Sequence, residues 1–103
     1  MSTIDGLMEY ENWLTDMYRE DIALCREILK LDVGEYNESG DDADLSLVLQ
    51  NLRRVIKARG YEAFEAAHLS EAEIDEAIYS EQYYNRDIVN KMLEAFDVDA
   101  RLM

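Results

Sequence analysis

No proline interrupts the 103 residues, and Gly6, Gly34, Gly40 and Gly60 are the only glycines. Sandwiches and barrels turn every few residues, and tight turns draw on these two residue types. A chain so poor in both is predicted to be all-α, a small single-domain bundle of five to six helices. Its length suits one modest core. A hydrophobic share of 49% beside 33% charged residues fits an ordered globule and not a disordered chain.

The apolar spacing agrees. Leu7, Tyr10, Trp13, Leu14, Met17 and Tyr18 recur at threes and fours, which predicts a helix over about 3–18 with Trp13 in the core. Ile22, Cys25, Ile28 and Leu29 predict a second over about 20–33, where Cys25 acts as a small buried apolar residue. Residues 34–44 read as an acidic loop whose carboxylate spacing does not match a calcium-binding EF-hand. Leu45, Val48, Leu49, Leu52, Val55 and Ile56 give the most continuous apolar face, over 45–59, with Gly60 as its stop.

Tyr61–Ala67 is predicted as a short helix with Phe64 inward. His68 then occupies a turn where positive φ is expected. Ser70 and Glu73 have the spacing of a capping box, and Ile74, Ala77 and Ile78 form one stripe of the helix that runs to Tyr79. Residues 80–84 form a polar and aromatic connection, Asp87 is expected to cap a last helix, and Val98–Met103 is expected to be a short strand or a dimer-forming tail. Two parts, 1–44 with acidic helices and loop and 45–103, are expected to pack as one domain.

The net charge of −14 far exceeds the magnitude of roughly 2–8 that keeps a small domain soluble. It repels nucleic acid and anionic membrane, and attracts basic proteins over a Debye length of about 8 Å. The charge is unevenly spread. Residues 1–44 hold 13 acids and 3 bases and residues 61–103 hold 11 and 3, whereas 45–60 hold Arg53, Arg54, Lys57 and Arg59 and no acid. That basic island could touch a DNA backbone or pair internally, and the surrounding acid favours internal pairing.

Cys25 and His68 are each the sole residue of their type, so neither an intramolecular disulfide nor a zinc set can form. No cofactor is expected. Without a basic n-region or a long apolar run, neither a signal peptide nor a membrane span is expected, which points to the cytoplasm. No nucleophile–base arrangement or glycine-rich phosphate loop suggests an enzyme.

The element order from residue 45 onward is that of a helix-turn-helix domain. The chain resembles the helix-turn-helix antidote proteins (antitoxins) of toxin–antitoxin addiction modules. The resemblance is carried by Glu20–Ala23, by Leu52-Arg53-Arg54-Val55-Ile56-Lys57-Ala58-Arg59-Gly60, by Ala67-His68-Leu69-Ser70 at the family's turn, by Ala77-Ile78, and by Val89–Val98. It implies a fold with a recognition helix at 70–79 and a role in neutralising a toxin. The departures lie where DNA would sit. His68 replaces the turn glycine, Glu71, Glu73, Asp75 and Glu76 stand at the family's basic positions, and Gln82-Tyr83-Tyr84 replaces its Gly-Asn-Pro loop.

DNA binding rests on phosphate neutralisation by Lys and Arg, so no useful duplex DNA binding is expected. The acidic surface is similar to that of small phage anti-CRISPR proteins and other DNA mimics. The leading expectation is an inhibitor that docks on a basic, nucleic-acid-handling protein. Glu71, Asp75, Glu76 and Glu81 would replace phosphates, with Tyr79, Tyr83 and Tyr84 as aromatic anchors and Glu73 on the same partner-binding face. The alternative is an antitoxin that neutralises a basic ribonuclease toxin and represses its own operon. Homodimerisation through the N-terminal helix or the tail is a further expectation.

Overall fold

A computed structural model describes residues 3–79 and 84–103, with side chains from residue 9 onward. The described residues form an all-α fold. α1 (Thr3–Glu20), α2 (Ile22–Ser39) and α3 (Asp42–Arg59) are long. They are followed by a 3₁₀ helix (Tyr61–Ala67), α4 (Glu71–Ile78) and α5 (Arg86–Ala95).

α1 and α2 are separated by Asp21 alone, and α2 and α3 by Gly40 and Asp41. α3 is central, packing against α1, α2, the 3₁₀ helix and α4, while α5 covers the 3₁₀ helix and α4. The core runs the length of the chain, from Tyr18, Leu29 and Val33 through Val48, Leu49 and Leu52 to Phe64, Ile78, Met92 and Leu93.

The acidic loop expected at 34–44 is mostly helix. α2 continues through Gly34 to Ser39 because Val33 is fully buried and Tyr36 packs on the core beyond it, which offsets the roughly 1 kcal/mol cost of a mid-helix glycine. The stop comes at Gly40, whose φ of 65° is left-handed and whose N–H donates to the Tyr36 carbonyl. Asp41 then caps α3 by accepting from the Ala43 N–H at 2.9 Å. Asp42 and Asp44 lie in the first turn of α3, where the helix dipole favours acid.

Three further expectations change. Trp13 is not core but 55% exposed, because Glu11, Thr15 and Tyr18 are the α1 residues turned to α3. Asn85, not Asp87, caps α5, accepting from the Ile88 N–H at 3.2 Å while Asp87 sits in the first helical turn. Val98–Met103 forms no strand. Leu102 is 2% exposed, and the Asn90 amide grips its backbone at both ends: Nδ2 donates to the Leu102 carbonyl at 3.0 Å and Oδ1 accepts from its N–H at 2.7 Å. Asn37 of α2 holds the neighbouring stretch, donating to the Arg101 carbonyl and accepting from the Met103 N–H. Two side-chain amides thus do for the tail what a partner strand would do.

Candidate functional site

α4 carries four of the eight residues singled out by sequence, with Tyr79 as its C-cap, and its placement follows from local rules. Ser70 Oγ accepts from the Glu73 N–H, and Glu73 Oε1 accepts from the Ser70 N–H, both at 3.1 Å, completing the capping box. His68 reverses the chain before it with φ 56°, a left-handed conformation that His tolerates better than bulky residues. Ile74, Ala77 and Ile78 are buried, so the opposite face is fixed toward solvent.

The four α4 carboxylates and the C-cap Tyr79 therefore lie close along one short element, but they are not equivalent. Glu71 and Glu76 are exposed, with no bond partner among the described residues. Glu73 is committed to the cap. Asp75 accepts a 2.6 Å hydrogen bond from the Tyr61 hydroxyl, and that bond, followed by burial and the negative charge of Asp75, pushes the Tyr61 phenol up to about 12. Tyr79 is 59% exposed and lies under Arg53, whose guanidinium carbon is 5.6 Å from its ring centroid.

Tyr84 is elsewhere. It is half-buried against the core beside Tyr36, where burial pushes its phenol up to about 12 and its hydroxyl has no partner among the described residues. Glu81 and Tyr83 lie outside the described residues.

The basic island of α3 turns inward. Arg53 Nη1 donates to the Ile78 carbonyl at 2.6 Å and so caps the C-terminus of α4. Arg59 Nε and Nη2 donate to the Tyr18 and Arg19 carbonyls at 2.7 and 3.0 Å, closing the end of α1. Arg54 Nη2 reaches both carboxylate oxygens of Glu11 at 2.9 and 3.0 Å. Only Lys57 is exposed without a bond partner among the described residues. Arg26, from α2, does the same service for α5, donating to the Phe96 carbonyl at 2.8 Å and to Asp97. The helix ends supply the reason: terminal carbonyls lack intrahelical partners and concentrate negative charge.

A second cluster has no counterpart in the sequence reading. Asn51 of α3, 7% exposed, sits where α1 and α2 meet. Its Oδ1 accepts from Tyr18 Oη at 2.9 Å and from Arg54 Nη1 at 2.6 Å, while its Nδ2 donates to Asp32 of α2. Burial holds the Asp32 carboxyl above its ordinary range, against the Asn51 bond that lowers it. The tyrosine ring lies 5.6 Å from the Arg54 guanidinium carbon. The spacing of Tyr18, Asp32, Asn51 and Arg54 across three helices hides this network from any local pattern.

Cys25 is fully buried, its Sγ donating toward the Tyr18 and Asp21 carbonyls at 3.2 and 3.3 Å, and burial raises its pKa. It is a packing residue. No group of three or more His, Cys, Asp or Glu able to hold a metal occurs among the described residues. None of the described helices is long and apolar enough to cross a membrane. No family model matches the sequence, and no curated protein or solved structure matches it either.

Proposed function

We propose that this protein is an acidic, protein-binding inhibitor that docks on a basic nucleic-acid-handling protein through the α4 face, on a helix-turn-helix-like scaffold without useful DNA binding. One observation carries the reading. The arginines of the basic island are spent on helix ends and internal pairs, while Glu71 and Glu76 project into solvent beside Tyr79. The surface a partner meets is therefore more acidic than the composition alone implies. The order of short helix, three-residue turn and capped helix supports the scaffold assignment, and carboxylates occupy the helix that would read bases.

Charge of this kind steers a cationic partner and makes association sensitive to salt. An exposed tyrosine at the C-terminal end of α4, Tyr79, supplies the amphipathic contact area that interface hot spots use. Immobilised protein tests the reading against lysate, with captured proteins identified by mass spectrometry and then purified. The expected targets bind nucleic acid, and their gel shifts are abolished by added wild-type protein but not by the Glu71→Lys/Glu76→Lys variant. Targets whose nucleic-acid binding is unchanged by the wild type would overturn it. So would a gel shift showing micromolar affinity of the protein itself for duplex DNA at physiological salt.

A further inference from the structure

Five of the seven arginines are bonded within the fold. Arg19, Arg26, Arg53, Arg54 and Arg59 hold helix-end carbonyls or carboxylates. Arg86 and Arg101 are the exceptions. Both are exposed, and neither guanidinium makes an ion pair or hydrogen bond among the described residues. The two line one open cleft of about 570 Å³ between α2, the start of α5 and the C-terminal tail. That size is ordinary for a small-molecule site.

The α2 wall of this cleft is open at Gly34. A mid-helix glycine weakens a helix relative to alanine, and packing does not demand this one, since a Cβ there would meet nothing within 4 Å. What the missing methyl leaves is bare backbone on the wall of the cleft, the arrangement that lets a ligand approach a main chain closely. Beside it, Val33, Ala100 and Leu102 contribute apolar surface. Arg101 is held in place through its backbone, because its carbonyl accepts from Asn37 Nδ2 at 3.0 Å. Asn90 grips Leu102 next to it.

The side-chain charge of the cleft is positive, two guanidiniums against the carboxylate of Asp87, in a chain of net charge −14. Across the tail, the neighbouring cleft is walled by Asp87, Glu94, Asp97 and Asp99 against Lys91 and Arg101, so it carries the opposite sign. That boundary leaves room for a short anion only, and the net charge of the chain repels a polyanion. Guanidinium groups bind carboxylate and phosphate oxygens through paired hydrogen bonds. We propose that this cleft binds a small organic anion, a carboxylate or phosphate monoester on an apolar body. Its charged group meets Arg86 and Arg101, and its body lies over Gly34, Val33 and Leu102. The site is separate from α4 and does not rest on the inhibitor reading.

The probes are benzoate and phenyl phosphate, with benzyl alcohol as the body without charge and inorganic phosphate as the charge without body. At constant ionic strength, at least one of the two aromatic anions should give saturable shifts of the Gly34 and Arg101 amide resonances. Which one saturates assigns the acid. Both controls should bind at least tenfold more weakly. Arg86→Gln and Arg101→Gln should each weaken binding at least fivefold with unchanged circular dichroism. Lys57→Gln, which removes an exposed base elsewhere, should change it less than twofold, as should Glu71→Lys/Glu76→Lys. Gly34→Ala should raise the melting temperature by about 4–8 °C and still weaken binding at least fivefold.

Shifts that stay linear with both aromatic anions would overturn the proposal and leave the α4 reading standing. So would equal binding of benzyl alcohol, which makes the cleft merely apolar, or of inorganic phosphate, which makes it a general anion spot. Binding that both arginine variants retain, or that the stabilised Gly34→Ala protein retains, would overturn it as well.

Discussion

Arg19 and Arg59 serve each other's helices: Arg59 donates to the carbonyls at the end of α1, including that of Arg19, while Arg19 Nε donates to the Ala58 carbonyl at the end of α3 at 3.4 Å. Two like charges are tolerated side by side because each faces a cluster of unpaired carbonyls and the negative end of a helix dipole. Arg59→Ala removes two bonds of 2.7 and 3.0 Å and should cost about 2 kcal/mol, at roughly 1 kcal/mol per bond, read as a lower urea midpoint. Lys57→Ala, on the same turn but bonded to nothing described, should change stability by less than about 0.5 kcal/mol. Equal effects of the two would mean that the island does not fasten the helices.

Asp32 makes acid a stabilising condition at one site. Its carboxyl sits above the ordinary value of 3.8, chiefly because burial disfavours the charge. The folded state therefore binds its proton more tightly than the unfolded state. The corresponding stability is fully present below pH 3.8 and is lost as pH rises through the folded pKa. Asp32→Asn keeps an acceptor-bearing side chain beside Asn51 and removes the charge. The variant should be at least as stable as wild type at pH 7 and indistinguishable from it at pH 3, measured by thermal melting across that range. A large loss at pH 7 would show that the carboxylate charge itself is needed.

Tyrosine ionisation extends the same trend to alkaline pH. Tyr61 and Tyr84 are both held at about 12 against an ordinary 10, so the folded chain retains protons that the unfolded chain releases. Their contribution is intact below pH 10 and disappears as pH rises through 12. Absorbance titration near 295 nm should show a late-ionising group of tyrosines, and Tyr61→Phe and Tyr84→Phe should each remove one member of it. At pH 7, Tyr84→Phe should be neutral or stabilising by up to about 1 kcal/mol, since its buried hydroxyl has no partner among the described residues and an unbonded buried hydroxyl is a cost to the fold. Destabilisation by that substitution would indicate a hydrogen bond to the Tyr84 hydroxyl.

Of the two amides that hold the tail, Asn90 makes the more buried bonds. Asn90→Ala removes both bonds to Leu102 and should cost about 2 kcal/mol, while hydrogen exchange at the Leu102 N–H rises toward the rate of an open chain. Asn37→Ala, whose bonds to Arg101 and Met103 are exposed, should have the smaller effect.

Much of this architecture is legible in the sequence because its determinants are local. The capping box at Ser70, the left-handed turn at His68, the buried Cys25 and the apolar face of α3 each follow from residues within four positions of one another. The misses have a common physical origin. Gly34 reads as a breaker until the burial of Val33 and Tyr36 against distant helices is known. Trp13 reads as core because periodicity gives the face of a helix but not how wide an arc its neighbours cover. The α4 carboxylates were visible as a group, yet only three-dimensional packing separates Glu73 and Asp75, bound internally, from Glu71 and Glu76. The Asn51 network joins residues from three different helices, and no window along the chain contains it.

The two-residue link at Gly40–Asp41 has a kinetic meaning. It lets α2 and α3 zip together with almost no loop to close, and short closures form faster than long ones. The α2–α3 hairpin is thus the natural folding nucleus, with the tail docking onto Asn37 and Asn90 as a late event. Gly40→Ala, forced into a left-handed φ, should cost about 1 kcal/mol and express most of it as slower folding. Asn90→Ala should express its cost almost wholly as faster unfolding.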